Sequence, residues 1–429
     1  MMKKLFILIT MVIVVLTGCK TEKKVEYDTV IIGGGLAGLS ASYELKDRKI
    51  LLLEKEKRIG GRIWTKDAEN YTYEMGALFG YVRKLLPERS RSNQLIKESN
   101  NVGVYIRDRV YLGRDMRSAV LAAVEKDSDR VALNKLKNGS TVSEVIPELS
   151  RDIGSVIEAS FNVIHPGDFE EYTKSRKMDA FVTFNTSHYV KGNRSLINVY
   201  AKKIEGKYKL GAEVFSVEKK DDHIITRYKK DGKTQVVTSK TVIVATPATV
   251  AAHLIKGMDK RSETFLKSVK YGKGVVVAVV TKKGKEPDFS YIVTPGKSFN
   301  TVFKSRSYDD KVSVYVVYFI DSFLEKHPEM KRSEYIDITL NELRSMNIGN
   351  FDEDNILKTD YHLWKDLGTI ISDETYGNFD EKCLVPLQGV VLAGDYTFWE
   401  KMQIPYGISA AFYSGKIAAM QVKELLEEK

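Results

Sequence analysis

An α/β fold is the prediction, and three observations carry it. Val25–Ile32 is an apolar, β-branched run; Gly33-Gly34-Gly35-Leu36-Ala37-Gly38 follows as a G-x-G-x-x-G turn; and Lys49–Leu53 is a second apolar run closed by the acid Glu54. The order strand, glycine turn, helix, strand, acid is that of a Rossmann-like dinucleotide-binding unit.

Each element has its reason. Val25–Ile32 is bounded by glycines and reads as a buried strand. Gly33 permits the tight turn, Gly35 lets backbone amides approach a pyrophosphate, and Gly38 allows a helix to lie close on the strand. The stretch Leu39–Leu45 is periodic and reads as that helix, whose N-terminal amides and partial positive charge suit phosphate. Glu54 stands 21 residues beyond Gly33, where a carboxylate hydrogen-bonds ribose hydroxyls.

The N-terminus reads as a targeting segment. Lys3 and Lys4 precede the apolar run Leu5–Leu16, too short for a bilayer that needs about 20 apolar residues. Leu16-Thr17-Gly18-Cys19 resembles the bacterial lipobox, which implies cleavage after residue 18 and lipid attachment at Cys19. An ordinary secretory signal with an incidental cysteine is the alternative. The expected address is the bacterial cell envelope, on the extracytoplasmic side of a membrane. Lys20–Glu26 would reach only about 25 Å when extended, so the body sits near that membrane.

Composition narrows the classes. The 429 residues carry a formal charge of +10, and loss of Lys3 and Lys4 with the leader leaves about +8. The lysines are scattered among acids rather than gathered on one element, which disfavours nucleic acid as a partner. Only Cys383 accompanies Cys19, so neither a disulfide within the folded body nor a thiolate metal cluster is expected. The six histidines (His165, His188, His223, His253, His327 and His362) show no ligand spacing, and no G-x-S-x-G elbow occurs.

After Glu54 comes Arg58-Ile59-Gly60-Gly61-Arg62, and here the sequence resembles the flavin-containing amine oxidase superfamily, with its monoamine and polyamine oxidases, protoporphyrinogen oxidases and carotenoid desaturases. The resemblance implies FAD and places Gly61 and Arg62 over its phosphates. Glu74-Met75-Gly76-Ala77 resembles the segment beside the isoalloxazine ring. Lys191–Leu196 resembles a G-G-x-x-x-L element with Asn193 in place of the second glycine. Val214, in "EVFSV", lies where a valine backbone meets adenine, and "VIVATP" (242–247) resembles a strand returning to the cofactor unit. "GVVLAGDYT" (389–397) resembles the strand whose Gly394-Asp395 holds the ribityl chain, and Ile408 opens a final helix aimed at the flavin.

These motifs fall at the start, middle and end of the chain, so the implied FAD-binding domain is discontinuous: 25–85, 192–255 and 383–429. An α+β substrate domain from 86–191 and 256–382 is inserted into it, after a leader (1–18) and tether (19–24). Arg117–Val124, Val142–Leu149 and Lys331–Arg344 read as helices; Val275–Thr281, Val312–Phe319 and Phe299–Phe303 read as strands.

The resemblance also supplies the chemistry. Flavin N5 accepts hydride from a carbon next to an amine nitrogen, and two aromatic rings flank the substrate path. Tyr406 is the candidate for one wall, with Tyr396, Phe398 and Trp399 nearby; core filling is the alternative for all four. Amine oxidases of the family carry a lysine near N5, four residues after a glycine. In Tyr271-Gly272-Lys273-Gly274-Val275-Val276 that place holds Val276, and Lys273 follows its glycine directly. Lys273 is therefore a candidate catalytic residue only under a shifted register, and otherwise a solvated lysine. The acceptor is oxygen or a quinone: if the lysine near N5 is absent, slow reaction with oxygen is expected and a quinone, which a membrane tether would suit, takes its place. Cys383 lies 12 residues before Asp395, too near for the family's covalent attachment, so the FAD is expected to be non-covalent. Three functions follow: oxidation of an amine; oxidation of a lipophilic substrate by a desaturase or porphyrinogen-type oxidase, which "GDYT" resembles; or a non-catalytic, membrane-tethered flavoprotein.

Overall fold

The computed structural model describes residues 25–68, 71–78, 85–86, 95–97, 101–137, 140–163, 167, 187–189, 191–305, 311–370, 372–397 and 407–427. The leader with Cys19, and Tyr406, Phe398 and Trp399, lie outside the described residues.

Two sheets organise the chain. The first has eight strands. At its centre β1 (Tyr27–Ile32) runs parallel to β2 (Ile50–Leu53) and to the end of a long later strand, β7 (Lys233–Val244). The order Ile255–Lys256, β5 (Glu213–Lys220), β6 (His223–Lys230), β7, β1, β2, Tyr208–Lys209 is completed by β11 (Val390–Leu392), which pairs in parallel with β7. Strand direction changes within this sheet, since β5, β6 and the first half of β7 form an antiparallel meander.

The centre is parallel because it is covered on both faces. Val30, Ile32, Leu53, Val242 and Val244 pack on one side. Ile31, Leu52, Ile243 and Val391 pack on the other, beneath α1 (Leu36–Glu44) and α3 (Ile408–Glu427). Each fully buried aliphatic contributes about 1.5–3 kcal/mol. Continuous apolar runs are what a parallel strand buried on two faces requires.

The second sheet has seven strands, ordered β10 (Ile356–Ile370), β8 (Lys270–Lys282), β9 (Val312–Ile320), Thr301–Ser305, Tyr291–Val293, Val102–Ile106 and Arg109–Gly113. Strand β8 is antiparallel to both neighbours, and its alternate residues face different layers. Val275, Val277 and Val279 pack with Tyr335 and Leu343 of α2 (Arg332–Met346). Val276, Ala278 and Val280 face Met116, Val156 and Ile157 of the helices Met116–Ala123 and Arg151–Phe161. That second layer also meets Tyr73 and Met75, which belong to the hairpin β3 (Thr65–Ala68) and β4 (Tyr71–Glu74) and the turn after it. The hairpin thus lies between the glycine-loop sheet and β8–β10.

Candidate active site

Gly33 and Gly38 shape the glycine loop through contacts too close for any side chain, while at Gly35 an added Cβ would meet its nearest atom only at 4.0 Å. Gly33 has φ +104°, and a Cβ there would lie 2.7 Å from the Ala245 carbonyl at the end of β7. At Gly38 it would lie 1.9 Å from the Gly33 carbonyl oxygen, so α1 rests directly on the end of β1. Glu54 is buried at the end of β2. Its carboxylate accepts the Gly34 amide at 2.5 Å and the Glu56 amide at 2.8 Å. Each oxygen keeps a lone pair for a hydroxyl. Ala212 donates to the Glu54 carbonyl at 2.8 Å, which brings the start of β5, and Val214 just beyond it, beside the loop.

A second glycine turn crosses the first. Gly60 donates to the Gly34 carbonyl at 2.9 Å, and a Cβ on Gly61 (φ +56°) would lie 3.1 Å from the Gly35 Cα. Arg58 braces this turn: its guanidinium donates to the carbonyls of Gly61 (2.6 Å) and Ile63 (3.2 Å) and lies over the Trp64 ring at 4.9 Å. The turn delivers Arg62, whose fork is bidentate on Asp395 at 2.9 and 2.6 Å. Burial opposes charge on both partners, but each outweighs it for the other, holding Asp395 below the usual carboxylate range and Arg62 above its own. Asp395 is 6% exposed and Arg62 28%. Asp395 follows Gly394 (φ +150°), whose amide donates to Ser414 Oγ of α3 at 2.9 Å. Residues 62 and 395 thus meet, and the meeting is anchored to the last helix. Ile408, the buried first residue of that helix, packs in the layer shared with α1.

The segment after β4 runs past this pair. Met75 donates to the Trp64 carbonyl at 2.8 Å and Ala77 to the Arg62 carbonyl at 2.9 Å. A Cβ on Gly76 would lie 2.0 Å from that Arg62 oxygen. Trp364 Nε1 of β10 donates to the Met75 carbonyl at 2.7 Å, and the Tyr318 hydroxyl of β9 to the Gly76 carbonyl at 2.6 Å. Asn193 Nδ2 donates to the carbonyls of Ala77 and Leu78 at 2.8 and 2.9 Å. The Asn193 amide also donates to buried Glu74 at 2.6 Å. Its amide group therefore makes two bonds that a glycine at this position cannot.

Beside Trp364 stands an aromatic group. The His362 ring lies 4.4 Å from Trp364 and 4.6 Å from Trp64, both edge to face. Burial holds the His362 pKa below its ordinary value, and Lys66 and Arg58 add to the effect. Lys66 pairs with Asp360 at 2.6 Å, and Asp360 also accepts the Tyr73 hydroxyl at 2.9 Å. Trp364, Tyr318 and His362 escape the motif reading of the sequence. The one available signal was rarity, as the chain has only three tryptophans.

Other expected residues fall elsewhere. Lys273 is exposed, at an irregularity in pairing between Gly272 and Gly274. That exposure is what a solvated lysine shows. Val276, across from Tyr318 and His362, is fully buried in the layer facing the hairpin. Tyr396 is completely buried and packs with Phe265 and Cys383 in the core of the first sheet, away from a wall role. Burial raises the Cys383 thiol. Among the described residues no group of histidine, cysteine or acid side chains has the arrangement of a metal site. No described helix is long and apolar enough to cross a membrane.

The comparisons agree with this geometry. The family profile described as flavin containing amine oxidoreductase matches residues 129–423, and one described as NAD(P)-binding Rossmann-like domain matches 31–79. L-amino acid oxidase from Cerastes cerastes is 23% identical over 450 residues, spanning 89% of this chain and 86% of its own. The L-amino-acid oxidase of Notechis scutatus scutatus is 24% identical, with 89% and 85% spanned. Cyclohexylamine oxidase from Brevibacterium oxydans IH-35A superposes with TM-score 0.70 at 15% identity, over 93% of this chain and 100% of that one. Wild-type putrescine oxidase bound to putrescine gives TM-score 0.68 at 15% identity, over 93% and 99%. At these identities the solved structures establish a shared fold.

Proposed function

The chain belongs to the flavin-containing amine oxidoreductase family and is a flavin-dependent enzyme; we propose that it holds FAD without a covalent bond and oxidises a small amine or amino acid. The observation that carries this reading is the convergence of the two glycine turns, Glu54 and the Arg62–Asp395 pair at the C-terminal ends of β1, β2 and β11. Ligands of open α/β sheets bind in this crevice.

The residues present fit such a group. Glu54 keeps acceptor capacity for ribose hydroxyls, Gly35 leaves room for a phosphate, with the nearest atom 4.0 Å from an added Cβ, and Asn193 Oδ1 is a buried acceptor without a hydrogen bond among the described residues. Arg62, in this reading, turns its exposed edge to the phosphates while Asp395 fixes its fork. Gly76 and Ala77 form the wall beside the ring, and Val214 backs the adenine. Bound FAD supplies the acceptor for a hydride from the carbon next to nitrogen. The nitrogen lone pair forms the C=N bond, and water hydrolyses the resulting imine. The Trp64–Trp364–His362 group excludes water from one side. Neutral His362 adds no charge there.

We further propose that the chain is exported through the leader, is tethered at Cys19 and passes electrons to oxygen or a quinone. The test is anaerobic bleaching of the flavin band in protein prepared from Lys20 onward. Bleaching by amino acids or simple amines supports the reading. Bleaching by polyenes or porphyrinogens alone would replace it with the lipophilic-substrate alternative, and protein that takes up flavin but bleaches with nothing would favour a binding role.

A further inference from the structure

Four consecutive backbone carbonyls, those of Met75, Gly76, Ala77 and Leu78, are each bound by a side chain from elsewhere in the chain. Trp364 comes from β10, Tyr318 from β9, and Asn193 from the residue preceding the helix Arg194–Lys203, which supplies the last two bonds. Carbonyls in an irregular segment usually find backbone or water partners. A run satisfied by side chains from two strands of the second sheet and from a helix start is fixed in one shape, because each donor is itself locked by packing. Tyr318 is edge-on to Phe303 at 5.5 Å, and Trp364 to His362 at 4.4 Å. The strip is fixed on its other edge as well, through the Met75 and Ala77 amides to Trp64 and Arg62.

Asn193 has a further property. Its Nδ2 faces two carbonyls, which settles the orientation of the amide and sends Oδ1 the other way. Asn193 is 1% exposed, and Oδ1 has no hydrogen-bond partner among the described residues. The neighbouring Gly192 cannot change, since at φ +71° its Cβ would lie 2.3 Å from Thr65 and 2.7 Å from Glu74.

We propose that Trp364, Tyr318 and Asn193 are positioning residues that clamp the Met75–Leu78 strip into a preformed wall for the flavin, and that Asn193 Oδ1 accepts a hydrogen bond from an N–H or O–H of that cofactor. This rests on the flavin reading above. The clamp makes the second sheet part of the cofactor site: β9 and β10 set the distance between the substrate face and the flavin wall through two hydrogen bonds.

The test uses the full chain in detergent, with FAD added to the stripped protein. Tyr318→Phe, Trp364→Phe and Asn193→Gly are compared with Tyr315→Phe, whose hydroxyl bonds Glu286 and the Ile348 carbonyl on the other face of β9. Loss of one bond in the clamp should weaken FAD about two- to ten-fold, and Asn193→Gly by more than ten-fold because it loses three. The Tyr318→Phe/Trp364→Phe double variant should fall short of the product of the singles, since both act on one strip. The absorbance maxima and midpoint potential of bound flavin should shift in all three and stay fixed in Tyr315→Phe. Variants that melt earlier yet bind FAD with wild-type affinity, maxima and potential would overturn the clamp alone. Wild-type chain that takes up no FAD would overturn the flavin reading and the clamp with it.

Discussion

The two sides of the site are made from different materials. On the first sheet the cradle is backbone: Gly33, Gly38, Gly60 and Gly61 sit where a Cβ would strike a carbonyl or a neighbouring glycine, or where φ is positive, and Gly35 leaves the space beside them open. On the second sheet the facing surface is side chain: Trp364, Tyr318, His362 and Asp360, brought together by the register of β10 and β9 on β8. The backbone side tolerates little change, because nothing in it can move without moving a strand. The side-chain side can be retuned one residue at a time, which is how one scaffold comes to serve different substrates.

Substitutions can break that contrast. The largest effect should come where the two materials join, at the Arg62–Asp395 pair. Asp395→Ala strands a guanidinium that is only 28% exposed and should cost about 3 kcal/mol in urea unfolding, the lower end of the range for a broken buried pair. The Asp395→Ala/Arg62→Ala double variant should recover part of it. Next is Gly38→Ala, whose methyl would sit 1.9 Å from the Gly33 oxygen. A loss of about 1–3 kcal/mol is expected, with FAD affinity falling alongside.

On the side-chain side the effects are smaller and depend on pH. Burial, then Lys66 and Arg58, hold His362 below its ordinary pKa. The unfolded chain therefore takes up a proton that the folded chain refuses, and this share of stability is lost as pH falls through about 6.5. The melting temperature of wild type should drop between about pH 7.5 and pH 5.5, and His362→Gln should drop less. An equal fall in both would remove His362 from the account. The smallest effect belongs to exposed Lys273: Lys273→Ala should change stability by less than about 0.5 kcal/mol and leave the rate of amine-driven bleaching unchanged. A large loss of rate would restore it to the site.

The same contrast decides what could be read from the sequence. Gly33, Gly38, Gly61 and Gly394 are legible because a backbone requirement leaves one permitted residue, and Glu54 because its distance from the turn is set by a helix and a strand. The apolar runs of β1, β8 and β9 are legible because both of their faces are buried. Strand β10 is not: ILKTDYHLWKDLGTI is the sheet's edge strand, mostly half-exposed, and its alternation is blurred by Asp360, His362 and Trp364 on the face toward the hairpin. Those residues carry no motif, and only the pairing of β10 with β8 shows that they share a face. Asn193 reads in sequence as a departure from a glycine pattern. In the fold it is a side chain with a function of its own, donating to Ala77 and Leu78. Tyr396, an aromatic next to the Gly-Asp turn, takes the core-filling role that is one of its two readings.

The most direct measurement is a fluorescence titration of FAD into the stripped protein and into Glu54→Ala. A single FAD held by the glycine loop and Glu54 means quenching that saturates at one FAD per chain for wild type, and at least ten-fold weaker binding once the Glu54 carboxylate is gone. Wild-type protein that leaves FAD fluorescence unquenched, or a Glu54→Ala variant that binds as tightly as wild type, would contradict it.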